Sequence, residues 1–164
     1  MYSDPLSERR IASLHPKLRD EAILLFEKIN NELLTGRAKM RVTCGFRSVA
    51  EQNVLYSMGR ARPGKIVTNA QGGQSVHNYG LAMDFCLILD GGKYASWDTM
   101  QDFDHDGKAD WMEIVGQFKE AGWEWAGDWK TFKEYCHVQK TFGLSVSRLA
   151  KLPLDKEGFV RLPV

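Results

Sequence analysis

The sequence predicts an α+β protein in which a small antiparallel sheet is flanked by helices. Two observations predict this class. Apolar residues recur at helical spacing in some segments and alternate with polar residues in others. The helical segments precede and alternate with strands, and the connections are typical of hairpins or long loops. A length of 164 residues suits one domain, which we expect to span residues 1–164.

The N-terminal elements are predicted to be helical. Ser7 is a suitable N-cap for a short turn that runs up to His15-Pro16. Pro16 can open the next helix because proline is favoured in a first helical turn, and Gly36 is a suitable C-terminal stop. Between them the apolar residues recur at helical spacing, at Leu18, Ala22, Leu25, Phe26, Ile29 and Leu33.

A strand and a helix are predicted next. The segment "KMRVTCGFRS" alternates Met40, Val42, Cys44 and Phe46 with polar residues, which predicts a strand. The segment "SVAEQNVLYSMG" returns to helical spacing. Ser48 and Glu51, three residues apart, form the pattern of a capping box at its start.

Residues 60–80 predict a long loop that leads into a second strand. The loop is rich in Gly, Asn, Gln and Ser, and loops of this length in compact domains are usually functional or disordered. The strand "LAMDFCLIL" places Asp84 on one face, between the small side chains of Ala82 and Cys86. That spacing leaves room beside the carboxylate. The other face carries Leu81, Met83, Phe85, Leu87 and Leu89.

A last helix and a short strand complete the predicted elements. Residues 110–121 predict a helix, with Trp111, Ile114, Val115 and Phe118 on one side. The loop "GWEWAGDW" leads to "FKEYCHVQ", whose end is predicted to be a short strand.

Composition limits the classes of function. The 43% hydrophobic and 26% charged residues are typical of a soluble globular protein, and a net charge of +1 gives no indication of nucleic-acid binding. We expect no membrane span and a monomer. The three cysteines have no CxxC spacing, and the first residues lack the apolar stretch of a signal peptide, so we expect synthesis in the cytoplasm.

His77, Asp84 and His137 are candidate zinc ligands. Two imidazoles and a carboxylate suit zinc, and three protein ligands leave a fourth position for water. The spacing of His77 and Asp84 is a weak signal by itself, and ordinary surface or core roles remain the alternative. Glu134, three residues before His137, is a candidate general base for a zinc-bound water and a candidate acid for the departing amine; a solvated surface charge is the alternative.

These residues form a pattern that resembles a known family. Ser75-x-His77-x-x-Gly80-x-Ala82-x-Asp84 followed by Glu134-x-x-His137 resembles the zinc D-alanyl-D-alanine carboxypeptidases, which include VanY-type enzymes, D-Ala-D-Ala dipeptidases and L-alanyl-D-glutamate endopeptidases. "GFRSVAEQ" and "WEWAGDW" resemble the endopeptidase branch, and the resemblance runs from about residue 7 to residue 143. It implies the three zinc ligands, the role of Glu134 and a fold shared with the hedgehog signalling domain.

The resemblance also suggests roles around the ligands. Arg47 falls where the family carries an arginine, which can stabilise an oxyanion or hold a substrate carboxylate; a structural ion pair is the alternative. Ser75 and Asp128 are predicted to orient the ligands or the loop backbone. Three tryptophans either line a substrate groove or pack in the core: Trp123, Trp125 and Trp129.

The acidic segment "DFDHDGKADWME" matches the calcium loop of an EF-hand. Side chains occupy positions 1, 3, 5, 9 and 12, a backbone carbonyl lies at position 7, and Gly107 takes the turn at position 6. The predicted calcium ligands are Asp102, Asp104, Asp106, Lys108, Asp110 and Glu113. An acidic surface turn is the alternative. We expect one structural Ca²⁺ site that fixes the start of helix 110–121, because the chain has a single such loop.

The resulting hypothesis is a zinc metallopeptidase that acts on peptidoglycan stem peptides, most plausibly at the L-alanyl-D-glutamate bond. The alternatives are a D-alanyl-D-alanine carboxypeptidase or dipeptidase, and a non-catalytic zinc- and calcium-containing module that binds the cell wall. The missing signal peptide suggests an endolysin-type enzyme that reaches the wall after phage-type release. An intracellular role in wall recycling, or export by another route, stays open.

Overall fold

The computed structural model describes residues 1–163, which form five helices and five strands. Three 3₁₀ turns occur at Val76–Tyr79, Asp90–Gly92 and Ala126–Asp128. The helices are α1 (Pro5–Ala12), α2 (Pro16–Lys28, continued by one π turn, Ile29–Leu33), α3 (Val49–Ser57), α4 (Asp110–Glu120) and α5 (Val146–Leu149). The strands are β1 (Ala38–Cys44), β2 (Ala82–Leu89), β3 (Tyr94–Ser96), β4 (Glu124–Trp125) and β5 (His137–Gln139).

All pairings in the sheet are antiparallel, and the strand order is β1-β2-β5-β4. β1 occupies one edge of β2. The other edge is shared, because β5 pairs with the beginning of β2 and β3 pairs with its end. This small antiparallel sheet with helices confirms the predicted α+β class.

The predicted alternation in β2 is confirmed. The five residues of its apolar face, Leu81 to Leu89, belong to the main buried cluster together with the apolar sides of α2 and α4. Trp111, Ile114, Val115 and Phe118 of α4 are buried as predicted. The sheet therefore has a filled face toward the helices, and Asp84 lies on the opposite face.

The capping box of α3 is confirmed, whereas two predicted helix boundaries are wrong. Ser48 Oγ accepts from Glu51 N, and the Glu51 carboxylate accepts from Ser48 N. Ser7 is no N-cap, because Pro5 starts α1 two residues earlier. The Ser7 hydroxyl instead donates to Asp4 at 2.6 Å and accepts from Val42 N at 2.8 Å, which ties α1 to β1.

Gly36 is not the residue that ends the second helix. The π turn stops at Leu33, and Leu34 N bonds to the Ile29 carbonyl. Gly36 lies against the loop before α4, where a Cβ atom would come within 2.6 Å of Asp104 Cβ. A close approach between two segments therefore requires this glycine. In residues 1–163, no helix has both the length and the apolar character needed to cross a membrane.

Candidate metal centre and active site

His77 lies in the 3₁₀ turn Val76–Tyr79, which is capped by Ser75 at its start and by Gly80 at its end. Ser75 Oγ accepts from His77 N at 3.3 Å, and Gly80 ends the turn with a φ of +68°. A Cβ atom at Gly80 would come within 2.6 Å of His15 N, so the turn fits only a glycine there. The Nδ1 atom of His77 lies 2.8 Å from the Gly45 carbonyl oxygen, to which it donates, and its Nε2 atom faces Asp84.

Asp84 and His137 are directly opposed in the β2–β5 pair. Asp84 Oδ1 lies 3.2 Å from His77 Nε2 and 3.1 Å from His137 Nδ1. The two imidazole rings are 5.0 Å apart and nearly perpendicular. The structure thus brings the three predicted zinc ligands together, with one carboxylate oxygen between two imidazole nitrogens.

The outer nitrogen of His137 has a partner that sequence analysis missed. Gln139, buried in β5, places its Oε1 atom 3.0 Å from His137 Nε2. The Gln139 amide nitrogen donates to Glu124 Oε2 at 3.3 Å, which orients the side chain. His137 Nε2 therefore carries the proton, and Nδ1 is the nitrogen that can bind a metal. Residues i and i+2 of a strand lie on one face, and that spacing was the available signal.

Electrostatics favour a positive charge between these groups. Burial alone would lower the pKa of His77, but its hydrogen bonds to Asp84 and Cys44 outweigh burial and raise that pKa to about 10. Burial would raise the pKa of Asp84, but hydrogen bonds from His137 and His77 outweigh it and lower that pKa. A divalent cation supplies the same charge, and two imidazoles with a carboxylate are a donor set that suits zinc.

Glu134 lies beside this centre and remains accessible. Its Oε2 atom is 3.8 Å from His137 Nδ1, and its side chain is 59% exposed. The Glu134 carbonyl accepts from His137 N at 3.2 Å, so the two residues share one tight turn. A carboxylate in this position can reach a solvent molecule held at the centre.

Arg47 lies on the other side of Asp84. Its Nη2 atom is 3.8 Å from Asp84 Oδ2, and its Nη1 atom donates to the buried Gln52 at 3.0 Å. The backbone N–H of Arg47 donates to the His77 carbonyl at 3.0 Å. The guanidinium of Arg47 is thus within ion-pair range of Asp84. The Arg47 side chain is 19% exposed and lines the cavity.

Cys44 is a further donor that the sequence analysis treated only as a strand residue. It is paired with Asp84 in the β1–β2 register, and Cys44, His77 and Asp84 offer ligand atoms within 4.8 Å of one another. Its Sγ atom lies 3.7 Å from Nδ1 of His77 and 3.2 Å from Arg47 Nη2. Burial would raise the pKa of Cys44, but the bond to His77 and nearby positive charge outweigh it and lower that pKa.

A cavity of about 710 Å³ opens over the centre. Trp129 lines it, with its ring 5.7 Å from that of His137, whereas Trp123 and Trp125 are buried in the core. One predicted tryptophan therefore faces the cavity and two pack. A second cavity, of about 330 Å³, meets the first at Glu134 and is lined by Phe132 and residues 66–70. The two cavities share Val67, Thr68, Ala70 and Glu134 in their linings.

Two predicted supporting residues have different positions. Ser75 caps the turn that carries His77. Asp128 is not brought to the centre; its half-exposed carboxylate accepts from Lys119 Nζ at 2.5 Å. The 3₁₀ turn at Ala126–Asp128 points that side chain back to α4.

The predicted calcium ligands lie in the loop between β3 and α4 and in the first turn of α4. Ligand atoms of Asp102, Asp104 and Asp110 lie within 4.8 Å of one another, and so do those of Asp104, Asp106 and Glu113. Lys108 lies between Asp106 and Asp110, and its N–H donates to Asp106 at 2.8 Å. The two groups of carboxylates thus share Asp104.

Comparison with known proteins gives consistent results. The sequence profile of the D-alanyl-D-alanine carboxypeptidase family matches residues 68–140. The peptidoglycan L-alanyl-D-glutamate endopeptidase CwlK of Bacillus subtilis is 44% identical over 128 residues, which cover 78% of this chain and 74% of that protein. The crystal structure of the Serratia marcescens L-Ala D-Glu endopeptidase ChiX aligns over 87% of this chain and 91% of its own, with a TM-score of 0.53 and 24% identity.

Proposed function

The chain belongs to the D-alanyl-D-alanine carboxypeptidase family of peptidases, and we propose that it is a zinc-dependent endopeptidase that cuts the L-alanyl-D-glutamate bond of peptidoglycan stem peptides. One observation carries the proposal: two imidazole nitrogens lie within 3.2 Å of one Asp84 oxygen, with the accessible Glu134 carboxylate beside them. The choice of bond is supported by the activity named for the relative from Bacillus subtilis.

We propose His77 Nε2, Asp84 and His137 Nδ1 as the zinc ligands. The hydrogen bonds at the outer nitrogens, to Gly45 and Gln139, fix the tautomers that leave these two atoms free to coordinate. Bound zinc supplies Lewis acidity, which polarises a carbonyl and makes a water molecule acidic near neutral pH.

Glu134 is proposed as the proton carrier of the reaction. Its carboxylate takes a proton from the attacking water as the new carbon–oxygen bond forms at the scissile carbonyl. It then gives that proton to the amine nitrogen as the carbon–nitrogen bond breaks. The exposed position of Glu134 at the junction of the two cavities supports this role, because the carboxylate can reach both solvent and substrate.

Arg47 is proposed to stabilise the negative charge that develops on the carbonyl oxygen, or to hold a substrate carboxylate. Its bond to Gln52 fixes the guanidinium at the cavity wall. A purely structural pairing with Asp84 is the competing role. The two roles differ in their effect: an oxyanion role lowers kcat, whereas a structural role lowers zinc content.

Fragment analysis of digested peptidoglycan tests the proposed bond. Purified peptidoglycan is incubated with zinc-loaded protein, and the new ends are identified by mass spectrometry. New D-Glu amino termini are expected. Release of free D-Ala would instead establish a carboxypeptidase or dipeptidase, and stoichiometric zinc without any released fragment would establish a binding module.

The Glu134→Gln variant tests the mechanism. We expect a rate lower by about 10² to 10⁴, because that is the contribution of a positioned acid–base group, with an unchanged zinc content. Glu120→Gln, a change at an exposed carboxylate of α4, is the matched control and keeps the wild-type rate. A Glu134→Gln rate equal to that of wild type would remove Glu134 from the mechanism.

We further propose a structural calcium ion in the loop of residues 102–113, supported by the EF-hand spacing of its carboxylates. The protein is proposed to act at the cell wall as a single-domain monomer of residues 1–164, after release from the cell in which it is made. Activity at the wall is supported by the named substrate of the relative from Bacillus subtilis.

A further inference from the structure

We infer that the calcium ion proposed for the loop of residues 102–113 controls hydrolysis, because α4 and the indole of Trp111 connect that loop to the segment carrying Glu134 and His137. The inference rests on the proposed function for its effect on hydrolysis, but the ion and the connection can be tested without it. We refer to residues 102–113 as the acidic loop.

The acidic loop contains carboxylate oxygens that have no partner within the described part of the chain. Oδ1 of Asp104, Oδ2 of Asp110 and Oε2 of Glu113 are shielded from solvent and accept no hydrogen bond. Asp110 is 1% exposed, and one of its carboxylate oxygens lies within 4.8 Å of carboxylate oxygens of Asp102 and Asp104. An unpaired buried carboxylate oxygen is costly, so three of them within residues 104–113 indicate a cation.

The nearby basic side chains make no hydrogen bond to these three oxygens. The Lys39 ammonium, the basic group packed near Asp104 and Asp110, donates to the carbonyl oxygens of Leu34 and Asn30. The two groups of carboxylates share Asp104, and the repulsion between charges this close is what a divalent cation would relieve.

The type of cation follows from the donors. All of the candidate side-chain ligands are carboxylates, and they form two overlapping groups that share Asp104, with ligand atoms within 4.8 Å in each group. The seventh position of the loop, Lys108, would add a backbone carbonyl. Gly107 has a φ of +94°, as the turn at the sixth position needs. Hard oxygen donors in this number and spacing fit Ca²⁺ better than zinc.

The acidic loop is anchored to the body of the protein, so an ion in it would act on the fold. Asp104 Oδ2 accepts from the backbone N–H and the hydroxyl of Thr35, at 3.0 and 2.8 Å. Asp110, the first residue of α4, accepts from Phe103 N at 3.1 Å through its other oxygen. A cation on these carboxylates therefore fixes the start of α4 against the turn after α2.

The connection to the active site is a hydrogen bond made by the next residue of α4. Trp111 is fully buried, and its indole N–H donates to the Tyr135 carbonyl at 3.1 Å. Trp125 donates to the same carbonyl at 2.8 Å. Tyr135 follows Glu134 directly and precedes His137 by two residues, so the position of α4 sets the turn that carries the proposed base and a proposed zinc ligand.

Calcium titration of zinc-loaded protein tests the inference. The protein is stripped of metal, reloaded with one equivalent of zinc, and assayed on peptidoglycan with and without added CaCl₂, while calorimetry follows binding. We expect calcium to bind and to raise the hydrolysis rate about tenfold or more at constant zinc content, since a displacement of about 1 Å in an active site can cost about a hundredfold. Equal rates at all calcium concentrations, or no binding of calcium, would overturn the inference.

Two variants separate the ion from the connection. Glu113→Gln, which removes a proposed ligand, is expected to weaken calcium binding, whereas Glu120→Gln on the same helix leaves it unchanged. Trp111→Phe, checked by thermal melting for an intact fold, is expected to bind calcium but to lose the calcium-dependent rise in rate. A full rise in rate in Trp111→Phe would refute the connection.

Hydrogen exchange makes the test independent of the substrate. In wild-type protein, calcium is expected to slow amide exchange in residues 134–137, and in Trp111→Phe it is not. If no peptidoglycan is hydrolysed but exchange slows as described, the proposed function fails and the connection stands. If hydrolysis occurs and exchange in this segment is the same with and without calcium, the connection fails and the proposed function stands.

Discussion

Replacement of Gln139 by methionine is predicted to weaken zinc binding without touching a zinc ligand. Methionine has a similar volume but offers no oxygen to accept a hydrogen bond from His137 Nε2. In the wild-type protein this nitrogen lies 3.0 Å from the Gln139 oxygen. The buried N–H then has no acceptor in β5. The imidazole loses the contact that keeps its proton on Nε2 and leaves Nδ1 free for the metal.

The magnitude follows from the burial of this contact. Gln139 is 8% exposed and His137 is 5% exposed, so water cannot readily replace the lost acceptor. An unpaired buried donor costs about 1–3 kcal/mol, which corresponds to a zinc affinity about 5- to 150-fold lower. Changes in residues that orient a metal ligand typically reduce metal affinity by about 10- to 100-fold, which agrees with this range.

Competition between the metal-free protein and a chromophoric zinc chelator measures the effect. Gln139→Glu keeps an oxygen acceptor at this position and is expected to bind zinc more tightly than Gln139→Met. Gln117→Met, at a glutamine of α4 that donates to Glu120, is the matched control with unchanged affinity. If Gln139→Met binds zinc as tightly as Gln117→Met, the proposed tautomer control is wrong.

Three further predictions concern stability. Arg41→Met removes both 2.9 Å contacts to the buried Asp4 and should lower the free energy of unfolding by about 2 kcal/mol in denaturant titrations near pH 7. Burial would raise the pKa of Asp4, but hydrogen bonds from Arg41 and Ser7 outweigh burial and hold that pKa below its usual 3.8. The contribution of Asp4 to stability is therefore present above pH 3.8 and is lost as the pH falls below it. If the melting temperatures of wild type and Arg41→Met differ as much in acid as they do near pH 7, this prediction is wrong. Because the pKa of Glu113 is raised to about 7, the contribution of this residue to the stability of calcium-free protein should be fully present below the unfolded-state value of 4.5 and be lost as the pH rises through about 7. Saturating calcium should abolish this loss in thermal melts. Phe118→Ala leaves a cavity at a fully buried position and should lower the free energy of unfolding by about 3–5 kcal/mol. Phe132→Ala, at a 77% exposed position, should change it by less than about 0.5 kcal/mol. Comparable losses in the two variants would contradict the assignment of Phe118 to the core.

Much of the fold and the main residues of the candidate site follow from local patterns. Alternation in β2 places Asp84 on the face opposite the core, and the capping box gives the start of α3. Such signals need only neighbouring residues, so one sequence contains them. The position of His137 opposite Asp84 depends on strand pairing across 53 residues, and the family resemblance, rather than spacing, indicated it.

The missed residues have a common physical reason. Cys44 reaches the site through the register of β1 with β2, which no local pattern determines. Gln139 lies two residues after His137 on the same strand, but its contact matters only once strand pairing has brought His137 to Asp84. The hydroxyl of Ser7 suits an N-cap, and this is why the sequence predicts one. A buried hydroxyl can equally form a hydrogen bond with a strand distant in sequence, as Ser7 does with Val42. Asp128 is close to His137 in sequence and faces α4 instead, because a 3₁₀ turn reverses the chain.

The pairing of Asp84 with His137 also determines when the protein can become active during its synthesis. The last proposed ligand lies in β5, the final strand of the sheet, and Glu134 precedes it by three residues. During synthesis, Glu134 and His137 cannot join the site until both have left the ribosome. A truncated product that ends before residue 134 lacks both residues. Under the proposed mechanism, a fragment that ends before residue 134 is therefore expected to be inactive, whatever the state of its first two ligands.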